Sequence, residues 1–316
     1  TGSRLLSGNS KKTQSLETFL AAFHKADAAL LFNSGYDANL GLISAISNRH
    51  TTILYDAFCH ASLLDGIRLS HAKQHYRFTH NQPDALEKLL VKYKDQPGPV
   101  IVVVESIYSM EGDQAPLQEI AHLCNQYAAA LIVDEAHATG IYGPNGAGLV
   151  TEMGLELSVF ARIYTFGKAM GVHGACVVGG STLKQYLINF ARSFIYSTAL
   201  PPGTIRDIRH AYTCLVKEPE RRAQLSANIK AFALLRDKSG LDWFPSESPI
   251  QSLQIGSNHQ AREIVDLCEK QHINVAAILS PTVAKGTERL RLCLHSYNTA
   301  QEFQQLFEIL DKWQNK

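Results

Sequence analysis

The stretch A-A-A-L-I-V-D-E-A-H-A-T-G, residues 128–140, passes from an apolar run straight into an acid, Asp134, and then His137. A short apolar run that ends in charge reads as a strand buried on both faces, delivering its polar residues at the carboxyl end. Upstream, the same signal recurs at Ala28–Phe32, Thr52–Tyr55, His75–Phe78 and Val100–Glu105. Helical patterns alternate with these runs. In residues 13–25 the apolar positions Leu16, Phe19, Leu20 and Phe23 follow the spacing of one helix face, and further helices fall at 36–47, 60–69, 84–93 and 117–127. Strands alternating with helices predict an α/β fold with a mostly parallel central sheet covered by helices.

In such sheets ligands bind outside the carboxyl ends of the strands. That edge is predicted to gather Ser34-Gly35, Asp56 to His60, Glu105 to Ser109, Asp134 to His137, and Thr165 to Lys168 of the segment T-F-G-K. An acid and a histidine at one strand end, with a lysine behind the next strand, suit a pyridine-ring cofactor that carries an aldehyde, pyridoxal 5'-phosphate. The acid would keep the ring nitrogen protonated, and the lysine would hold the aldehyde as a Schiff base. Two plainer readings stand beside this one. D-E-A-H is also a helicase signature, but it requires a G-x-x-x-x-G-K-[ST] loop upstream, which the chain lacks. Ionisable groups also meet in purely structural networks, which leaves the pair Asp134 and Lys168 at even odds when taken alone.

Ser34-Gly35-Tyr36 opens a helix whose free amides suit a phosphate, or is a plain N-cap. Thr165 adds a hydroxyl to the same phosphate or is an ordinary strand residue. Residues 195–202, I-Y-S-T-A-L-P-P, read as the end of a helix at paired prolines, with Ser197 and Thr198 left without a core role. Beyond Gly203 the chain reads as helical with a break near Glu218-Pro219. Short strands near 250–255, 274–278 and 289–294 and helices at 260–271 and 299–313 follow, which predicts a smaller α+β domain. The expected division is 1–215 and 216–316. Arg289 and Arg291 share one strand face, either to clamp a carboxylate or as a solvated face.

The 316 residues hold enough hydrophobic content, 45%, for a sizeable core, and a net charge of +1 gives no electrostatic footprint for nucleic acid or anionic membrane. Six scattered cysteines without a C-x-x-C fit a reducing cytoplasm and no metal. The thirteen histidines are scattered too, and most read as surface or capping residues.

In their order and spacing, G-S-R-L-L-S-G-N (2–9), L-F-N-S-G-Y-D-A-N (31–39), H-A-S-L-L-D-G (60–66), S-M-E-G-D-Q-A-P-L (109–117), V-D-E-A-H-A-T-G (133–140), T-F-G-K (165–168), I-Y-S-T-A-L-P-P (195–202) and R-L-R-L (289–292) resemble the α-oxoamine synthases. These belong to the pyridoxal-phosphate enzymes of fold type I, with a large cofactor-binding domain and a small C-terminal one. The resemblance implies that His60 stacks on the pyridine ring and that Asp134 meets its nitrogen. It gives His137 the phenolic oxygen and Lys168 the covalent link and general-base role. Ser34, Gly35, Tyr36 and Thr165 map to the phosphate region, and Ser109 lies near a cofactor oxygen. Ser197 and Thr198 reach a phosphate across a homodimer interface, and Arg291 binds the amino-acid carboxylate.

The implied reaction condenses an amino acid with an acyl thioester and releases carbon dioxide. The T-F-G-K and I-Y-S-T-A-L-P-P segments look most like the branch of biotin biosynthesis that joins L-alanine to a pimeloyl group carried by CoA or acyl-carrier protein. The glycine C-acetyltransferase, serine palmitoyltransferase and 5-aminolevulinate synthase branches are the alternatives, and an inert scaffold that kept the fold is the alternative of another kind. Family members usually carry a segment before the first motif, so a chain starting at Thr1 is expected to be a truncated form with weak turnover.

Overall fold

The computed structural model describes residues 2–315, so the expected bounds at Thr1 and Lys316 lie outside the described residues. The chain divides into two compact units. One comprises the chain through Ile107 together with Ala115–Lys217; the other comprises Tyr108–Gln114 and the chain from Glu218 onward.

In the first unit helices and strands alternate as α1 (Lys11–Phe23), β1 (Ala28–Phe32), α2 (Gly35–Ile46), β2 (Thr52–Asp56), α3 (Ala61–Leu69), β3 (Gln74–Phe78), α4 (Pro83–Tyr93), β4 (Val100–Glu105), α5 (Leu117–Gln126) and β5 (Ala130–Asp134). Then come α6 (Leu149–Glu152), β6 (Ala161–Thr165), β7 (Ala175–Gly179), α7 (Ser181–Phe190), α8 (Arg192–Ile195) and α9 (Pro202–Lys217). The sheet has seven strands in the order β1-β7-β6-β5-β4-β2-β3. All neighbours are parallel except β7, which runs antiparallel to both β1 and β6. Two reversals restore the direction, so β1 ends at the same edge as β2, β4, β5 and β6.

Both faces of the central strands are covered, which is why β1, β4, β5 and β7 are almost continuously apolar, whereas the edge strand β3 carries Gln74, His75 and Arg77 and is partly exposed. Leu30, Phe32, Ile53, Ile101, Val103, Ile132 and Ile163 pack with residues of α2, α3 and α7 on one face. Their neighbours Ala29, Leu31, Tyr164, Cys176 and Val178 pack with Leu16 and Leu20 of α1 and Ile205, Ile208 and Tyr212 of α9 on the other. The alternation follows from the two-residue period of a strand. Leu16 and Leu20 are fully buried, each worth about 1.5–3 kcal/mol.

The paired prolines require a correction. The preceding helix, α8, already ends at Ile195, and Pro202 instead opens α9. Proline lacks the amide that the first turn of a helix leaves unbonded, so the start of a helix accepts it readily.

The second unit holds α10 (Pro219–Lys238), β8 (Ile250–Gln254), α11 (Asn258–Glu269), β9 (Ala276–Ile278), β10 (Arg289–Cys293) and α12 (Ala300–Gln314), with an antiparallel sheet in the order β8-β10-β9. Phe232, Leu253, Ile264, Leu290, Phe303 and Leu306 belong to its core. Segment 108–114, which sequence alone assigns to the large domain, joins this unit through hydrogen bonds from Ser246 Oγ to Gly112 O (2.8 Å) and from Ser252 Oγ to Met110 O.

Candidate active site

The carboxyl edge of the large sheet collects polar residues that its apolar strands cannot absorb. Asp134, the last residue of β5, is 5% exposed, and both of its oxygens have partners. Oδ1 accepts the Ala136 amide at 2.9 Å, and Oδ2 accepts Asn39 Nδ2 of α2 at 2.8 Å. A buried carboxylate needs such donors, because desolvation otherwise favours its neutral form.

Asn39 is a residue that pattern reading missed: one polar side chain on an amphipathic helix looks like part of the solvent face. It is 2% exposed. Its Nδ2 also donates to Ser62 Oγ at 2.9 Å, while its Oδ1 is buried with no hydrogen-bond partner. Leaving a buried acceptor unpaired costs about 1–3 kcal/mol.

His60 caps α3. Its Nδ1 accepts the Ser62 amide at 3.1 Å and lies 2.7 Å from Ser62 Oγ, and its own amide donates to Glu105 Oε1 at 2.6 Å. Burial lowers the His60 pKa, opposed by the charge of Asp134 and reinforced by that of Lys168. Glu105, at the end of β4 and register partner of Asp134, is pushed well above the usual carboxylate range, first by burial and then by the negative charge of Asp134.

Lys168 follows β6, and its Nζ donates to His137 Nε2 at 2.7 Å. Both side chains therefore stand at the same edge as Asp134. Ser34 caps α2: its Oγ accepts the Asp37 amide at 3.1 Å, and the Ala38 amide donates to Ser34 O at 3.0 Å. The cap thus uses the third and fourth amides of the turn and leaves those of Gly35 and Tyr36 at its open end. At Gly35 a side chain is excluded, since a Cβ there would stand 2.2 Å from Thr165 Oγ1. Two helix-end amides beside a hydroxyl make a phosphate cradle. The Tyr36 phenol donates to Asp65 Oδ2 at 2.6 Å, which leaves only its backbone amide available at this helix end.

Glu135, the other acid of D-E-A-H, has a structural role. Its carboxylate accepts the amides of Leu149 (3.0 Å) and Val150 (2.7 Å) and the hydroxyl of Ser106 (3.0 Å). Burial still pushes its pKa up to about 7. A Cβ at Gly148, where φ is +103°, would meet that carboxyl group at 2.9 Å, so glycine is required on both counts.

Ser197 and Thr198 lie in the first unit, where Asn33 Nδ2 donates to Ser197 Oγ (2.8 Å) and to Thr198 O (2.9 Å). In the second unit, Arg291 Nε donates to Ser109 O at 2.7 Å. Arg289 is 6% exposed, pairs with Glu111 at 2.6 Å and packs over the Phe244 ring, so this strand position is not a solvated one.

This donor set fits pyridoxal phosphate: a lysine for the aldehyde, a buried carboxylate for the ring nitrogen, two histidines at the same edge, and helix-end amides beside a hydroxyl that suit the phosphate. Among the described residues no cluster of metal-ligating side chains is present, and no helix is long and apolar enough to cross a membrane.

Known proteins agree with the geometry. Residues 1–310 match the class I and II aminotransferase family. The 8-amino-7-oxononanoate synthase of Emericella nidulans is 42% identical over 99% of this chain and 80% of its own length. A solved 8-amino-7-oxononanoate synthase from Francisella tularensis superposes with a TM-score of 0.85 at 33% identity, over 100% of this chain and 89% of that one. A solved SPT with PLP as internal aldimine superposes with a TM-score of 0.93 at 29% identity, over 100% and 79%.

The protein is a pyridoxal-phosphate-dependent enzyme of fold type I. It belongs to the class I and II aminotransferase family, and within it resembles the 8-amino-7-oxononanoate synthases.

Proposed function

We propose that this enzyme condenses L-alanine with a pimeloyl thioester of CoA or acyl-carrier protein, with loss of carbon dioxide, to give 8-amino-7-oxononanoate for biotin biosynthesis. The observation that carries the reading is the Lys168, His137 and Asp134 constellation in a chain 42% identical to an enzyme of that name. When bound, pyridoxal phosphate supplies an aldehyde for the amino acid's nitrogen and a protonated ring that withdraws electrons from Cα.

The side chains then have separate tasks. Lys168 would hold the cofactor's aldehyde and serve as the base for the amino acid's Cα proton. His137 Nε2, accepting from Lys168 Nζ, positions that amine, and the His137 ring would lie near the cofactor's phenolic oxygen. Asp134 would keep a proton on the ring nitrogen by its charge, and His60 would cover a ring face. The amides of Gly35 and Tyr36, with Ser34 and Thr165, take the phosphate. Ser197 and Thr198 of a second copy would complete that cradle in a homodimer, Ser109 would meet a cofactor oxygen, and Arg291 would clamp the amino-acid carboxylate. All six cysteines are free, which supports a cytoplasmic enzyme.

Fold similarity is higher to the SPT than to the Francisella enzyme (0.93 against 0.85), but sequence identity runs the other way (29% against 33%). Substrate choice rests on side chains, and one methyl group distinguishes alanine from glycine by only about 1–3 kcal/mol. The test is thiol release from pimeloyl-CoA with L-alanine, set against acetyl-CoA with glycine and palmitoyl-CoA with L-serine. A kcat/KM highest for the first pair supports the proposal; a higher value for either other pair overturns it.

A further inference from the structure

The hydrogen bonds around His60 form a chain with a direction. Asp134 offers only acceptors, so the Asn39 amide must turn its Nδ2 toward it; the same Nδ2 donates its second hydrogen to Ser62 Oγ. The Ser62 backbone amide donates to His60 Nδ1, which must therefore be unprotonated. Ser62 Oγ, already accepting from Asn39, then directs its own hydrogen to that nitrogen, 2.7 Å away. The Asn39 Oδ1 left unpaired in the interior shows that the amide's orientation is imposed by its two acceptors.

We infer that Asn39 and Ser62 are positioning residues that fix His60 as the Nε2–H tautomer and couple its orientation to that of Asp134. His60 then carries its N–H at Nε2, on the ring edge away from Ser62, where it is available as a hydrogen-bond donor. The charged groups acting on His60 are Asp134 of β5, Lys168 after β6 and Asp65 of α3, with Glu105 of β4 taking its backbone amide. Asp134 favours protonation and Lys168 opposes it, so the serine hydroxyl adds weight to the neutral form. The functional consequence rests on the proposed stacking role of His60. The tautomer does not.

The test is accordingly made on the full chain without cofactor. In ¹⁵N-histidine spectra, the His60 signals are assigned as those missing from His60→Asn. The account expects a pyridine-like Nδ1 and a pyrrole-like Nε2 at neutral pH. Ser62→Ala should raise the His60 titration midpoint by about 0.5–1 pH unit, the scale of one lost hydrogen bond, and Ser62→Thr should restore it. Asn39→Ala should weaken pyridoxal-phosphate binding by about tenfold. The signals of His24, a buried histidine elsewhere in the same unit, report whether each variant keeps its fold. A proton on Nδ1 of wild-type His60, or an unchanged midpoint in Ser62→Ala with the His24 signals intact, overturns the inference. So does unchanged cofactor binding in Asn39→Ala.

Discussion

Two histidine networks in the large unit, one buried around His24 and one at the sheet edge around His60, differ in what they leave over. Around His24, Nδ1 donates to Ala147 O (3.0 Å) and Nε2 accepts from the Tyr212 hydroxyl (2.8 Å), while the ring stacks on Tyr164 with centroids 3.6 Å apart. Arg162 closes the cluster, donating to His24 O at 2.7 Å and to the Tyr164 hydroxyl at 3.2 Å. Both ring nitrogens are spent inside the protein. Around His60 only Nδ1 is spent, Nε2 is left outward, and the network ends on the carboxylate Asp134. The more strongly perturbed histidine is the structural one: burial lowers the His24 pKa to about 3. Perturbation alone therefore does not mark a functional site; surplus donors and acceptors at the carboxyl edge of the sheet do.

The largest expected effect tests the functional side. Lys168→Ala should lower kcat by about 10⁴-fold or more, since one residue supplies both attachment and base. Unfolding of the cofactor-free protein should shift by no more than about 0.5 kcal/mol, because Lys168 is exposed. A parallel loss of stability would put Lys168 in the same class as His24.

The next prediction concerns pH and the other network. The folded-state pKa of His24, about 3, lies below the ordinary histidine value of 6.5, so the unfolded chain takes up the proton first as pH falls. The stability carried by neutral His24 is fully present above pH 6.5 and is lost progressively toward pH 3. The full shift corresponds to roughly 4–5 kcal/mol. Urea unfolding across that range should show a shallower pH dependence in His24→Gln than in the wild type, whatever the absolute stability of the variant.

Asp134→Asn should lower kcat by about 10²–10³-fold, the scale of removing one preorganised charge, with the fold retained. Smallest, Tyr212→Phe removes the donor to His24 Nε2 and should cost about 1–3 kcal/mol of stability while leaving kcat unchanged. A fall in kcat there would erase the distinction between the two networks.

The sequence disclosed the alternation of elements because period and punctuation are local properties: β4 and β5 lie in their apolar runs and end on the acids that close them, Glu105 and Asp134. It did not disclose that β7 lies antiparallel between β1 and β6, because strand partners depend on contacts distant in the chain. Asp134, His137 and Lys168 were legible as charged residues at the ends of apolar strands. Asn39 and Ser62 were not, since their importance lies in what they touch. His24, one of many scattered histidines, carried no local sign of burial. Glu105 was located in an edge loop, but its shared environment with Asp134 follows from strand register alone.

The most direct test of the central claim is borohydride reduction of the full chain mixed with pyridoxal phosphate, followed by peptide mapping. The account predicts a visible absorbance abolished by reduction, with the pyridoxyl label on Lys168 and no label in Lys168→Ala. A label on another lysine, or no label on Lys168, would contradict it.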